Sequence, residues 1–237
     1  MDRNEAVLRE LNLYPQWQLR VPVVAQLRVA QAMPVVTQVA EPVSVTPVLV
    51  RPPAWPELKQ KVHDCTDCNL HATGSPTMFG SGDEAADWLF IAGAPGAEEE
   101  KLCLPFAGFA GKLLDNMLSA IKLGRGKNVY LTHLVKCGPP GEREPKSVEL
   151  AACLPYLQSQ IELLNPKLII TLGQTAACAL LGVEQPLDTL RGKLHDYRGI
   201  SLLCTYHPAD LLQRPLDKAK AWQDLRLAVQ TVASVTV

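Results

Sequence analysis

The chain has no uninterrupted apolar run near the ~20 residues needed to cross a bilayer. Its charged start, Met1 to Glu10, leads into no apolar core of the kind an export leader carries, so the expectation is an unexported, cytoplasmic protein. Neither sign of charge is in excess: 23 Lys and Arg against 24 Asp and Glu leave a formal net charge of −1. That excludes a uniformly basic nucleic-acid binder, so any contact with a polyanion must come from a local patch. Between Val21 and Pro53 there is neither a glycine nor an aromatic residue.

Val, Pro, Gln and Ala fill that interval, and Pro22, Pro34, Pro42, Pro47, Pro52 and Pro53 are spaced so as to break helices and remove strand donors. Residues 21–54 therefore read as an extended, flexible linker, with an edge strand through the Val-x-Val pieces as the alternative. Residues 1–20 read as a short helical segment, with Ala6, Val7, Leu8, Leu11 and Leu13 set among charges. The compact domain is expected over residues 55–237, and 47% hydrophobic content is ample for its core.

That domain is organised around the stretch from Trp88 to Asp115. An apolar run, Trp88 to Ala92, has the length of a buried strand and breaks at Gly93, Pro95 and Gly96. After a loop, Leu113, Leu114, Met117, Leu118 and Ile121 recur at helical spacing. Three more strands are expected at Asn128–His133, Lys167–Leu172 and Ile200–Thr205. Between and after them, helices are expected from an N-cap at Ser147 to Leu164, over Gln174–Leu181 closed by Gly182, and over Leu216–Val232. Strands alternating with helices predict a three-layer α/β/α architecture with a mostly parallel sheet. The carboxyl ends of its strands bring Gly93 to Gly96, His133, Gly173 and Tyr206-His207-Pro208 to one edge, where an open α/β sheet binds its ligand.

Seven cysteines without an export signal argue against a disulfide framework. Cys65 and Cys68 form a CxxC at the start of the domain, and Cys137 and Cys153 add two more thiols. Four thiolates in that pattern fit a closed site for a [4Fe-4S] cluster or for zinc, and spacing alone does not separate the two. A redox pair plus two buried thiols is the other reading. Cys103, Cys178 and Cys204 read as small buried apolar residues.

Taken together, C-x-x-C-x-L from Cys65, A-P-G-A-E-E-E from Ala94, L-P-F-A-G-F-A-G-K-L-L-D from Leu104, and V-Y-L-T-H-L-V-K-C-G-P-P-G from Val129 carry a resemblance. A-A-C-L-P-Y-L, Leu190-Arg191-Gly192 and T-Y-H-P-A-D-L-L follow in the same order. From about Cys65 to Trp222 the chain resembles the iron-sulfur (type 4-like) uracil-DNA glycosylases of bacteria and archaea, as a divergent member. The resemblance implies a four-stranded parallel sheet, a [4Fe-4S] cluster on Cys65, Cys68, Cys137 and Cys153, and hydrolysis of the N-glycosidic bond of uracil or a related deaminated base in DNA. It implies that Phe106 stacks on the flipped base, that Ala94, Pro95 and Gly96 bring backbone groups close to it, and that His207 stabilises the departing anion. Glu99 aligns with a further acid seen in the family and is the second catalytic candidate, a solvated acidic loop being the alternative for Glu98 to Glu100.

Two positions depart from the family's pattern. The first motif usually carries a water-positioning Glu where this chain has Gly93, and the second an Asn where it has His133. A neutral imidazole has one donor and one acceptor, but not in the geometry of an amide. Lys136, Arg143, Arg191, Lys193 and Arg214, in loops near the strand ends, are the candidates for DNA contact. The expected protein is a monomeric DNA repair glycosylase of the bacterial cytosol, associated with the nucleoid. The alternative is a weak or inactive DNA-binding module of the same fold, recruited through a protein partner of residues 1–54.

Overall fold

A computed structural model of the chain describes residues 54–235, so the expected helical segment at residues 1–20 and nearly all of the linker lie outside the described residues. The first element is helix α1, Trp55–His63, with a proline in its first turn, where a missing amide costs nothing. A short strand β1, Ser81–Gly82, leads to β2, Trp88–Ala92, and helices α2, Ala97–Leu102, and α3, Gly108–Ala120. Strand β3, Val129–His133, and helix α4, Ser147–Leu164, follow. Next come β4, Leu168–Leu172, α5, Gln174–Leu181, α6, Leu187–Leu190, β5, Leu194–Tyr197, and β6, Ile200–Thr205. The chain then forms α7, Pro208–Gln213, and α8, Lys218–Val235.

The sheet has six strands in the order β1-β3-β2-β4-β6-β5. Its four central strands run parallel, as the sequence predicts, and two antiparallel strands extend the edges. β2 lies in the middle with all five residues buried, which is why it reads as a continuous apolar run rather than an alternation. Its side chains nevertheless go to opposite faces. Leu89 and Ile91 join Leu157, Ile161 and Ala177 in one core, while Trp88, Phe90 and Ala92 join Leu114, Leu118 and Ala228 in the other.

Ser147 is the first residue of α4 rather than its cap. Lys146 takes the cap position, and Glu149 reaches back to accept from its amide at 2.7 Å. α4 ends at Leu164, where Asn165 adopts the left-handed conformation before Pro166. The register then positions the site: Ala92 lies opposite His133, and Leu172 opposite Thr205, so these four strand ends reach the same level. Among the described residues no helix is long and apolar enough to cross a membrane.

Candidate active site

The strand ends open into a crevice of about 400 Å³. Its walls are the turn Gly93–Gly96, the loop Glu142–Pro145, residues Leu172–Thr175, and His207, Ala209 and Asp210. Three of the four expected carboxyl ends line it. The turn is tied down on both sides, because the Leu134 and Val135 amides donate to the Ala92 and Gly93 carbonyls and the Ala97 amide donates to Glu142 at 2.9 Å. Gly93 itself has room for a side chain, since a Cβ there would meet Thr175 at 3.4 Å, ordinary contact.

His207 caps α7 and its Nδ1 accepts from the Ala209 amide at 3.2 Å. That bond places the neutral ring's proton on Nε2. Burial pushes the pKa of His207 below its ordinary value, more strongly than Asp210, Glu99 and Glu144 pull it up. The crevice therefore holds a neutral imidazole with one N–H donor, a group able to polarise a carbonyl without carrying a full charge of its own. Gly173, at φ 89°, allows the close approach: a Cβ there would sit 3.3 Å from the Cβ of His207.

Phe106 lies one layer deeper. It is 2% exposed, and its ring stacks on His133 with centroids 4.9 Å apart and planes 16° apart. His207 is 6.3 Å away on the same measure. His133 thus does not line the crevice as its position at a strand end suggests; its ring is buried against the aromatic to which the resemblance gives base stacking. His133 Nε2 lies 3.4 Å from Glu99, and its Nδ1 is buried without a hydrogen-bond partner.

Glu99 joins these parts. Its carboxylate accepts from the Gly96 amide at 2.7 Å and from the Phe106 amide, and faces His133. Burial alone would raise its pKa, but His133 and the two amides outweigh burial and hold it below the usual carboxylate value. A carboxylate so engaged positions the turn and Phe106, rather than standing free to activate water. Phe106 also has φ 53°, a left-handed conformation that costs a bulky residue on the order of 1–3 kcal/mol and persists only where the surroundings enforce it. Part of that enforcement comes from a residue the sequence reading passed over. Arg125 donates to the Pro105 carbonyl at 2.7 Å and to the Phe106 carbonyl at 2.6 Å. Its only sequence signal is its place between Gly124 and Gly126, which marks a turn and no more.

The cysteines are all free. Cys137 and Cys153 are buried together with Cys68 packed against them, and Cys65 is close enough to act on both electrostatically. Burial, then Cys153, Cys68, Cys65 and Glu100, push the Cys137 thiol up to about 12. Among the described residues no group of three or more His, Cys, Asp or Glu converges into a ready ligand cage. The donor set still fits a thiophilic cation, because burial and neighbouring thiols disfavour the thiolates of Cys137 and Cys153, a cost that a bound metal centre would relieve. Cys204 is buried and Cys178 half-buried, as expected, whereas Cys103 is exposed at the left-handed end of α2.

The cation candidates separate. The Lys136 ammonium is buried, donating to Thr132, the His133 carbonyl and Gln160, and burial pushes its pKa down to about 7, so it is not available to phosphate. Arg143 forms a bidentate pair with Glu149 at 2.6–2.8 Å. Arg191 forms another with Asp224, which is fully buried and also accepts from Thr205. Arg214 lies 3.8 Å from Asp217 and is mostly exposed, and Lys193 is exposed.

The family model described as the uracil DNA glycosylase superfamily matches residues 79–226. The type-4 uracil-DNA glycosylase of Pyrobaculum aerophilum is 36% identical over 179 residues, 72% of this chain and 91% of that protein. The type-4 enzyme of Archaeoglobus fulgidus is 34% identical over 67% of this chain and 83% of its own length. That of Thermotoga maritima is 36% identical over 66% and 82%. The match spans all the strand ends that form the crevice and the histidine that caps α7, and on that ground the chain belongs to the uracil DNA glycosylase superfamily.

Proposed function

We propose that this chain excises uracil from DNA by hydrolysing its N-glycosidic bond, as a repair enzyme. The observation that carries the reading is His207, a neutral imidazole whose Nε2–H is fixed by the Ala209 amide beside the crevice. In the reaction water adds to C1′ of the sugar as the bond from C1′ to the base breaks; the electron pair leaves with the base, which finally takes up the proton that the water gives up. A donor fixed beforehand at the base oxygen stabilises that anion without reorganising, which is where such sites gain most of their rate. The base must first leave the stack. Phe106 supplies the stacking surface, the turn Ala94, Pro95 and Gly96 supplies close-lying backbone, and Glu99 holds both in place.

One observation favours a weak or inactive binding module: His133 lies over Phe106 and leaves that ring almost no exposed surface. Release of free uracil from a labelled single-stranded oligonucleotide separates the two. Measurable release supports the enzyme. Tight DNA binding with no release from uracil, hypoxanthine or xanthine substrates supports the module.

Cys65, Cys68, Cys137 and Cys153 would hold a [4Fe-4S] cluster, zinc being the lesser alternative, and the group would join α1, the loop after β3 and α4 while taking no part in bond cleavage. Lys193 and Arg214 are the residues we assign to the DNA backbone, since Arg191 is held by Asp224. Contacts of that kind weaken steeply with salt, by a log–log slope of about −0.7 per phosphate on single strands. Residues 1–54 would serve a protein partner, and the enzyme would act as a monomer on chromosomal DNA in the bacterial cytosol.

A further inference from the structure

We infer that Arg125 is a positioning residue for the uracil reaction, acting through Phe106; the inference rests on Phe106 being the surface against which the base stacks. Arg125 lies in the loop between α3 and β3, remote in sequence from the loop before α3, yet it closes back on that loop. Its Nη1 and Nη2 donate to the carbonyls of Pro105 and Phe106, and its Nε donates to Asp115 on α3 at 2.6 Å. Asp115 thereby orients the fork, and the fork holds two successive carbonyls. A lysine cannot reproduce this, having a single point of charge on a flexible stem.

The same short segment is held from two other sides. Glu99 accepts from the Phe106 amide, and Gly111 leaves the space that the Phe106 carbonyl occupies, since a Cβ at that glycine would collide with the oxygen. Phe106 therefore has its N–H, its carbonyl and its left-handed φ fixed by three residues from three places in the chain. Such a constraint on a residue in an unfavourable conformation marks a part whose placement matters. Of the three, Arg125 is the one that holds two successive carbonyls of that segment, with its remaining bond to Asp115 orienting it.

The experiment uses the full chain grown with 4-fluorophenylalanine. The sequence has four phenylalanines, so four fluorine resonances are expected, and Phe106→Leu identifies one of them. Arg125→Met should shift and broaden the Phe106 resonance while those of Phe79 and Phe90 stay in place, and those two report that the chain is folded. If they collapse, Arg125→Lys, which keeps a cation beside Asp115, takes its place with the same expected outcome. In uracil release, Arg125→Met should cost on the order of 100-fold in kcat, the scale of a ring displaced by about 1 Å, and little or nothing more in a Phe106→Ala background. An unmoved Phe106 resonance overturns the inference, as does an equal loss in both backgrounds. Absence of uracil release from the unaltered protein would sink the enzymatic reading, while the fluorine spectrum would still decide whether Arg125 holds Phe106.

Discussion

The two sides of the crevice differ in how they relate to their sequence motifs. On the β6 side, His207 stands where the motif puts it, its tautomer set by its own helix and its approach allowed by Gly173. On the β2 and β3 side, the motif residues are also present in order, yet one is a glycine and the other an imidazole packed flat on Phe106. The first side takes its tautomer from a neighbour in sequence, Ala209, and needs only a glycine across from it. The second depends on which side chain fills a shared space, and there a single substitution changes what the pocket offers.

The largest expected effect comes from giving the second side the two residues that the family resemblance implies. Gly93→Glu with His133→Asn adds a carboxylate where there is room for a Cβ and removes the ring from Phe106, so uracil release should rise by about 10²–10⁴-fold. A fall instead, on the best substrate among uracil, hypoxanthine and xanthine, would show that His133 itself serves the reaction. His207→Ala breaks the other side and should cost about 10²–10³-fold in kcat, the usual loss of one donor to a developing anion. Because burial lowers the pKa of His207, the neutral form should work throughout the range above ~6.5, with no acidic limb there in the pH–rate profile.

Away from the crevice, Cys153→Ala should reduce iron from about four atoms per chain and lower the Tm, measured by metal analysis and thermal melting. Stoichiometric zinc in the unaltered protein would end the cluster reading. The smallest effect concerns Glu149, which Arg143 holds at about 2. Its folded pKa lies below the ~4.3 of an unfolded Glu, so its contribution is present above ~4.3 and is lost as pH falls toward about 2. Glu149→Gln should therefore lower stability above ~4.3, where the contribution is present in full, and flatten the acid limb of an unfolding curve, the difference from the unaltered protein shrinking as pH falls toward about 2.

The four buried strands were legible because a strand covered on both faces has to be apolar throughout. β5 was not, since Leu194-His-Asp-Tyr197 is an edge with mostly exposed side chains and no such pattern. It exists because Arg198 and Gly199 both adopt positive φ and fold it back on β6 as a tight hairpin. β1 is two residues long and leaves no period to read. At the site, the position of His207 was legible from the motif after its strand, and so was the turn at Gly93. The stacking of His133 on Phe106 was not, because it joins loops far apart in the chain, and nothing in the spelling of Arg125 or Arg191 shows that each spends its charge inside the protein.

The order of the strands also has a consequence in time. β2 is flanked by β3 and β4, and β4 by β6, so the middle of the sheet cannot be completed from neighbours as the chain is synthesised. Trp88 must wait for Leu168, and Leu172 for Thr205, before either edge of the crevice has its partner. Cys68 likewise leaves the ribosome well before Cys137 and Cys153, so the small core these three share closes only once α4 has been made.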